Sequence, residues 1–212
     1  MKIKSVESLL KQTKYIALYD DDDKCQWVSN GRAYYPLRNM PWLDEESIFT
    51  MLDVPADKRE KYIFHHFDKL PTILDFSDII HGERLFDRDL IMLSMDGNEI
   101  EPLKPSSGVV FLDTQYLKPF ADERSVELYE RKNESTGTYI AVKSGLLLLG
   151  LIKPAPILNE TFVEMLNDLL DLSAYEWQKQ KQAQEAGTWS EQTSLYEDDN
   201  ESEADNEDDH HV

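Results

Sequence analysis

VELYERKNESTGTYIAVKSGLLLLGLI, residues 126–152, is the stretch whose reading decides the fold. VELYER, TYIAVK and LLLLGLI are rich in β-branched, aromatic and apolar residues, and the turn-forming segments Asn133–Gly137 and Ser144-Gly145 separate them. That pattern predicts three antiparallel strands in a meander. The third is apolar on both faces, so each face needs a cover. At seven residues it falls far short of the ~20 that span a bilayer. Downstream, Asn159 caps a predicted helix in which Phe162, Met165, Leu166, Leu169, Leu172, Ser173 and Trp177 recur at helical spacing. This amphipathic helix is the expected cover for the third strand. Its apolar stripe ends at Gln178, where QKQKQAQEAG follows.

Upstream, Ser5–Gln12 reads as a short lead-in helix and Tyr15–Tyr19 as a strand. CQWVS, Asn30-Gly31 and RAYYPL form a hairpin signal, because Asn and Gly both tolerate the positive φ of a type I′ turn. A two-residue turn there pairs Ser29 with Arg32 and Trp27 with Tyr34. Asp44 caps a helix running to Val54, with Glu45 and Glu46 at the positive end of its dipole and Pro55 ending it. Lys61–Phe67 returns to strand character, and Leu70–Ile80 reads as loop. A second hairpin, RDLIMLSM, Asp96-Gly97, NEIEPL, pairs Leu93 with Ile100. Gly31 and Gly97 are each followed five residues on by Pro-Leu and a basic residue, Pro36-Leu37-Arg38 and Pro102-Leu103-Lys104. Internal duplication is one reading of that match, and shared turn chemistry is the other. Leu112-Asp113 opens a shorter helix, Thr114–Leu117.

The expected fold class is therefore α+β: antiparallel hairpin and meander units, a helix after the first hairpin, an amphipathic C-terminal helix and a disordered acidic tail. Residues 1–82 form the hairpin-plus-helix unit and residues 83–187 the meander with its helix, the two either separate or one domain. Residues 188–212 form the tail. Of 42 acidic residues ten lie in those last 25 positions, with no Lys or Arg among them, so half of the net charge of −20 sits there. Such a segment buries too little apolar surface to offset the entropy of ordering.

A chain this acidic repels phosphate backbones, which argues against direct nucleic-acid binding and against an anionic membrane surface. A basic protein partner is the natural complement. A single cysteine, Cys25, forbids an intramolecular disulfide, and the start MKIKSVESLLKQTKY has no continuous apolar run; a cytoplasmic protein is expected. Cys25 itself reads as a small core residue.

The partner-binding candidates are Asp20, Asp21, Asp22 and Asp23, read as a hairpin loop, with Trp27, Tyr34 and Tyr35 from an aromatic cluster that also holds Tyr15, Tyr19 and Trp42. Aspartate bonds readily to its own nearby backbone in turns. Rigid rings anchor interfaces when exposed and pack cores when not. From Asp20, the sixth and twelfth positions of a calcium loop are Cys25 and Gly31 where Gly and Glu are needed, so no metal is expected there. His65 and His66 are adjacent on a strand and point to opposite faces, which argues against a shared ion with Asp68 and His81; one is expected among aromatics and the other exposed. No Gly-rich phosphate loop, nucleophile elbow or Cys pair is present, and no cofactor is expected.

Asp113 followed by Glu130-Arg131-Lys132 resembles the Asp…Glu-x-Lys order of restriction-type metal-dependent nucleases, without the proline before the Asp. The resemblance implies a metal held by Asp113 and Glu130 with Lys132 assisting the attacking water. The alternative for these residues is a solvated hairpin end. The favoured function is a non-enzymatic acidic interaction or regulatory protein, similar in character to acidic accessory proteins of bacterial mobile elements, nucleic-acid mimics among them. The alternative is a metal-dependent hydrolase or nuclease.

Overall fold

The computed structural model describes residues 1–22, 25–88, 91–95, 97–134 and 137–185. Asp23, Asp96, the middle of the 133–137 loop and the whole acidic tail lie outside the described residues. The chain divides into one unit, Met1–Pro156, and a second beginning at Ile157.

The first unit runs α1 (Ile3–Thr13), β1 (Tyr15–Asp21), β2 (Cys25–Ser29), β3 (Ala33–Pro36), α2 (Glu45–Met51), a 3-10 helix (Ala56–Lys61), β4 (Ile63–Phe67), β5 (Arg84–Leu85), β6 (Asp87–Arg88), β7 (Leu93–Met95), β8 (Asn98–Lys104), β9 (Val110–Asp113), a second 3-10 helix (Thr114–Phe120), β10 (Glu127–Asn133), β11 (Gly137–Ser144) and β12 (Leu147–Ile152). Among the described residues the strands make two sheets. The larger has eight strands in the order β4-β1-β2-β3-β12-β11-β10-β5; in the smaller, β8 pairs with β6 and β7 along one edge and with β9 along the other. The fold class is α+β with antiparallel hairpins and a meander, and the large sheet takes strands from both sides of residue 82.

The 126–152 stretch forms the three antiparallel strands, with Leu128 opposite Val142 and Ile140 opposite Ile152. A bulge interrupts the last pair: Val142 faces Gly150 and Lys143 faces Leu148, which leaves Leu149 as the extra residue. The alternation of β12 restarts there. Leu148 and Leu151 consequently enter one core and Leu149 and Ile152 the other. At Gly150 a Cβ would sit 2.8 Å from the Phe120 ring and 2.9 Å from the Tyr34 carbonyl, so glycine lets the second 3-10 helix and β3 close on the strand.

One face of the sheet is covered by Val6, Leu9 and Leu10 of α1, Ile48 and Phe49 of α2, and Tyr116 and Phe120. Leu70, Leu74 and Phe76, from the irregular segment after β4, cover the other. Full burial of side chains of this size contributes roughly 1.5–3 kcal/mol each. The cover expected from the 159–177 helix is thus supplied from within the first unit. In the second unit α3 (Glu160–Glu185) begins as predicted, with the Asn159 side chain accepting from the Phe162 N–H, but Met165, Leu166, Leu169, Leu172 and Trp177 stand exposed.

One register differs from the expectation. At the first hairpin Ser29 pairs with Tyr34 and Trp27 with Pro36, so the loop is two residues longer than a type I′ turn. Asn30 is the reason: its side-chain oxygen accepts the N–H groups of Arg32 and Ala33, and Gly31 alone of the pair has positive φ. A slip of two keeps every side chain on its face, so Trp27 and Tyr34 still share a core. The second hairpin pairs Leu93 with Ile100 as expected, in the smaller sheet. The two hairpins therefore differ in register, Trp27 facing Pro36 where Leu93 faces Ile100. β4 is a parallel edge strand on β1, and both His65 and His66 are exposed, where one was expected to be buried among aromatics; His65 does lie beside the Tyr15 ring, with centroids 5.8 Å apart. No helix among the described residues is long and apolar enough to cross a membrane.

Candidate functional site

The aspartate run is not simply a loop. β1 continues through Asp20 and Asp21, which pair with Gln26 and Cys25, and only Asp22, with φ 30°, belongs to the described part of the turn. Strand alternation sends Asp20 and Asp21 to opposite faces. Asp21 lines two clefts with Leu70, Phe76 and Cys25, and Cys25, expected in the core, is half-buried at that strand end.

Asp20 is the better defined. Gln26 Nε2 donates to its Oδ1 at 2.9 Å, and His66 Nε2 lies 3.1 Å from both of its oxygens. Partial burial works against the charge, but these hydrogen bonds outweigh it and hold the carboxyl below its usual value. Gln26 is itself buried, and it does a second job: Nε2 also donates to the Leu43 carbonyl at 3.0 Å, while Oε1 accepts the Leu43 N–H at 2.6 Å. One amide therefore ties the end of the first hairpin to the start of α2. Asp44 and Glu45, both exposed, follow directly, and Trp42, 54% exposed, precedes. Asp44 accepts from the N–H and hydroxyl of Ser47, and these bonds hold its carboxyl below the usual range. Asp20 is thereby tied to a second acidic segment distant in sequence, 44–45, whose chain also carries the exposed Trp42.

The other predicted partner-binding residues are interior. Trp27, Tyr34 and Tyr35 are 2%, 3% and 1% exposed. Trp27 meets the edge of Phe76, and the Tyr35 hydroxyl donates to the Tyr116 carbonyl at 3.0 Å. These rings are core, and of the aromatic cluster Trp42 is the member that faces solvent.

A second polar assembly lies at the far side of the same sheet. Arg131 of β10 and Lys143 of β11 sit on one face, and Glu83 reaches them from the segment leading into β5. Arg131 donates to Glu83 Oε2 from Nε at 3.1 Å and from Nη2 at 2.8 Å, and Lys143 Nζ bonds to Glu83 Oε1. The three side chains are 1%, 4% and 9% exposed for Arg131, Lys143 and Glu83. Arg131 Nη1 donates to the Asp75 carbonyl, the Asp75 N–H donates to the Tyr139 hydroxyl, and Lys143 lies over the Tyr129 ring. The network pins residues 75–83 across the sheet.

Of the nuclease-like trio, Glu130 and Lys132 meet at 3.0 Å. Burial acts against the Glu130 charge, but Lys132 and the N–H and hydroxyl of Ser106 hold its carboxyl below the usual value. Both line a cavity of about 390 Å³ together with Ser106, Glu83, Arg84 and Arg131. Asp113 does not line it; its carboxylate takes the N–H and side-chain amide of Gln115 at the start of the second 3-10 helix. Glu130 and Arg131 are buried, which corrects the expectation of a solvated hairpin end. No group of His, Cys, Asp and Glu suited to a metal ion occurs among the described residues. No protein-family model, curated protein or solved structure matches the chain.

Proposed function

We propose that this protein is a cytoplasmic, non-enzymatic interaction protein that binds a basic protein partner through the acidic corner, in the manner of a regulatory nucleic-acid mimic. The observation that carries the reading is the double use of Gln26, which joins Asp20 to Leu43 in the chain entering α2, where exposed Trp42, Asp44 and Glu45 are its sequence neighbours. Carboxylates held in place before a partner arrives lose little freedom on binding, and an exposed indole supplies apolar contact area. The net charge of −20 adds long-range attraction.

The test is kinetic. A partner captured from the native host and identified by mass spectrometry should associate more slowly as salt rises from 50 to 500 mM, because exposed charges are screened beyond roughly 8 Å at physiological ionic strength. Asp20→Asn with Asp22→Asn and Asp44→Asn should slow association, whereas Trp42→Ala should speed dissociation. Association that is indifferent both to salt and to the three neutralisations would overturn the reading.

A further inference from the structure

The apolar stripe of α3 is left without the role its spacing suggests. Both faces of the large sheet are packed by residues of the first unit, and Met165, Leu169, Leu170, Leu172 and Trp177 are each 60–66% exposed. With Leu166, and at 3.6 residues per turn, they fall within about 160° of the helix circumference. Between Met165 and Trp177 the only polar residues on that arc are Ser173 and Glu176. The six side chains expose roughly 800 Å², which is what each partner contributes to a standard protein interface and more than a monomer usually leaves bare in one patch.

We propose that the protein self-associates through α3, two copies packing their stripes antiparallel about the midpoint between Leu169 and Leu170. Charge excludes the obvious rival: a helix lying on lipid headgroups carries Lys and Arg on its polar face, whereas residues 154–178 contain neither, and Glu160, Glu164, Asp168 and Asp171 stand opposite the stripe. Charge also sets the direction. Residues 160–171 hold those four acids and no base, and residues 172–185 hold Glu176 and Glu185 with Lys179 and Lys181. Antiparallel packing places the acidic half of one helix along the balanced half of the other, while parallel packing would set acid along acid and bring the two Glu176 side chains together in the seam. About the Leu169–Leu170 midpoint, Glu176 instead lies opposite Val163 in the first turn of the other helix, its positive end, and roughly 20 Å along the axis from its counterpart. Leu166 then lies opposite Ser173, so a long side chain meets a short one. This surface is independent of the acidic corner, and salt acts on the two in opposite senses: chains of net charge −20 repel one another, so screening favours the pair.

The experiment is sedimentation velocity of the full chain from about 10 to 500 μM. The mass should rise from one chain to two with concentration, and more readily at 500 mM sodium chloride than at 50 mM. Leu169→Glu with Leu170→Glu, both exposed side chains, should weaken association by at least roughly tenfold because charge enters the buried seam; Asp171→Asn, on the opposite face, should leave it unchanged. Direction is read from a nitroxide on Lys181→Cys in a Cys25→Ser chain, which keeps the stripe intact: two labels should lie about 35–40 Å apart in the antiparallel pair, against under about 20 Å in a parallel one. A single-chain mass throughout would overturn the proposal, whether α3 then lies against its own first unit or on added phosphatidylcholine vesicles. So would a dimer that the two glutamates leave intact, one that salt weakens, or a short distance between labels.

Discussion

The acidic corner and the Glu83–Arg131–Lys143 cluster are both polar assemblies on the large sheet, and they are built by opposite rules. At the corner, one buried neutral amide organises charges that stay at the surface: Asp44 remains in water and Asp20 is only partly withdrawn from it. In the cluster the charges themselves are taken out of water, and each depends on the others. A buried ion pair adds little over an apolar replacement, yet removing one partner leaves an uncompensated charge. The comparison separates polar groups left accessible at the surface from those that hold a segment in place: residues 75–83 stay across the sheet because Arg131 and Tyr139 grip the Asp75 backbone and Arg131 and Lys143 hold the Glu83 side chain.

The comparison can be broken most directly at Glu83. Glu83→Ala should destabilise the protein by about 3–5 kcal/mol, read by denaturant unfolding, since two buried cations lose their carboxylate. A loss below about 1 kcal/mol would show that water reaches the cluster. Next in size is Gln26→Ala, with a loss of about 1–3 kcal/mol from the freed Leu43 N–H and carbonyl. An NMR titration should also show the Asp20 carboxyl moving up toward its ordinary value.

Acid should act at the corner and at Glu130, next to the cluster. Asp20 and Glu130 are held below their ordinary values in the folded state, so the unfolded chain binds more protons. Their contribution is complete above the ordinary carboxylate range, about 4, and is lost as pH falls through the folded values. Wild-type stability should therefore decline below about pH 5, and Asp20→Asn with Glu130→Gln should flatten that decline. The smallest effect belongs to exposed charge: Asp22→Asn should change stability by less than about 0.5 kcal/mol. Truncation after Gly187 should move the thermal midpoint by less than about 2 °C, the shift that corresponds to under 1 kcal/mol in a chain of this size.

Local chemistry was legible in the sequence wherever neighbours in the chain are neighbours in space. The β10–β12 meander, the Asp44 cap and the Leu93/Ile100 pair follow from alternation and turn residues. The loop after Ser29 differed because the Asn30 side chain competes for backbone donors, which a dipeptide rule for Asn-Gly overlooks. The aromatic cluster was correctly seen as dense, but burial is a tertiary property, and only the packing of Leu74 and Phe76 decides that Trp27 and Tyr34 are interior. Both polar assemblies were hidden for the same reason. Residues 26 and 43, or 83, 131 and 143, carry no mutual signal until the chain is folded. The single hint was a polar Gln26 inside an otherwise apolar strand.

The seam at the middle of the large sheet has a consequence for how the protein is made. Ala33 and Tyr34 of β3 pair with Ile152 and Leu151 of β12, and the Lys153 N–H closes onto the Arg32 carbonyl at 2.8 Å. Contacts between such distant parts of a chain are slow to form. At ordinary rates of translation, residue 152 leaves the ribosome roughly 6–23 s after residue 36. During that interval the first hairpin stands with an open edge whose intended neighbour has not yet been synthesised. Newborn chains, rather than finished ones, are then the population most exposed to wrong pairing, and the yield of this protein in a cell should respond to translation speed and chaperone supply before it responds to temperature.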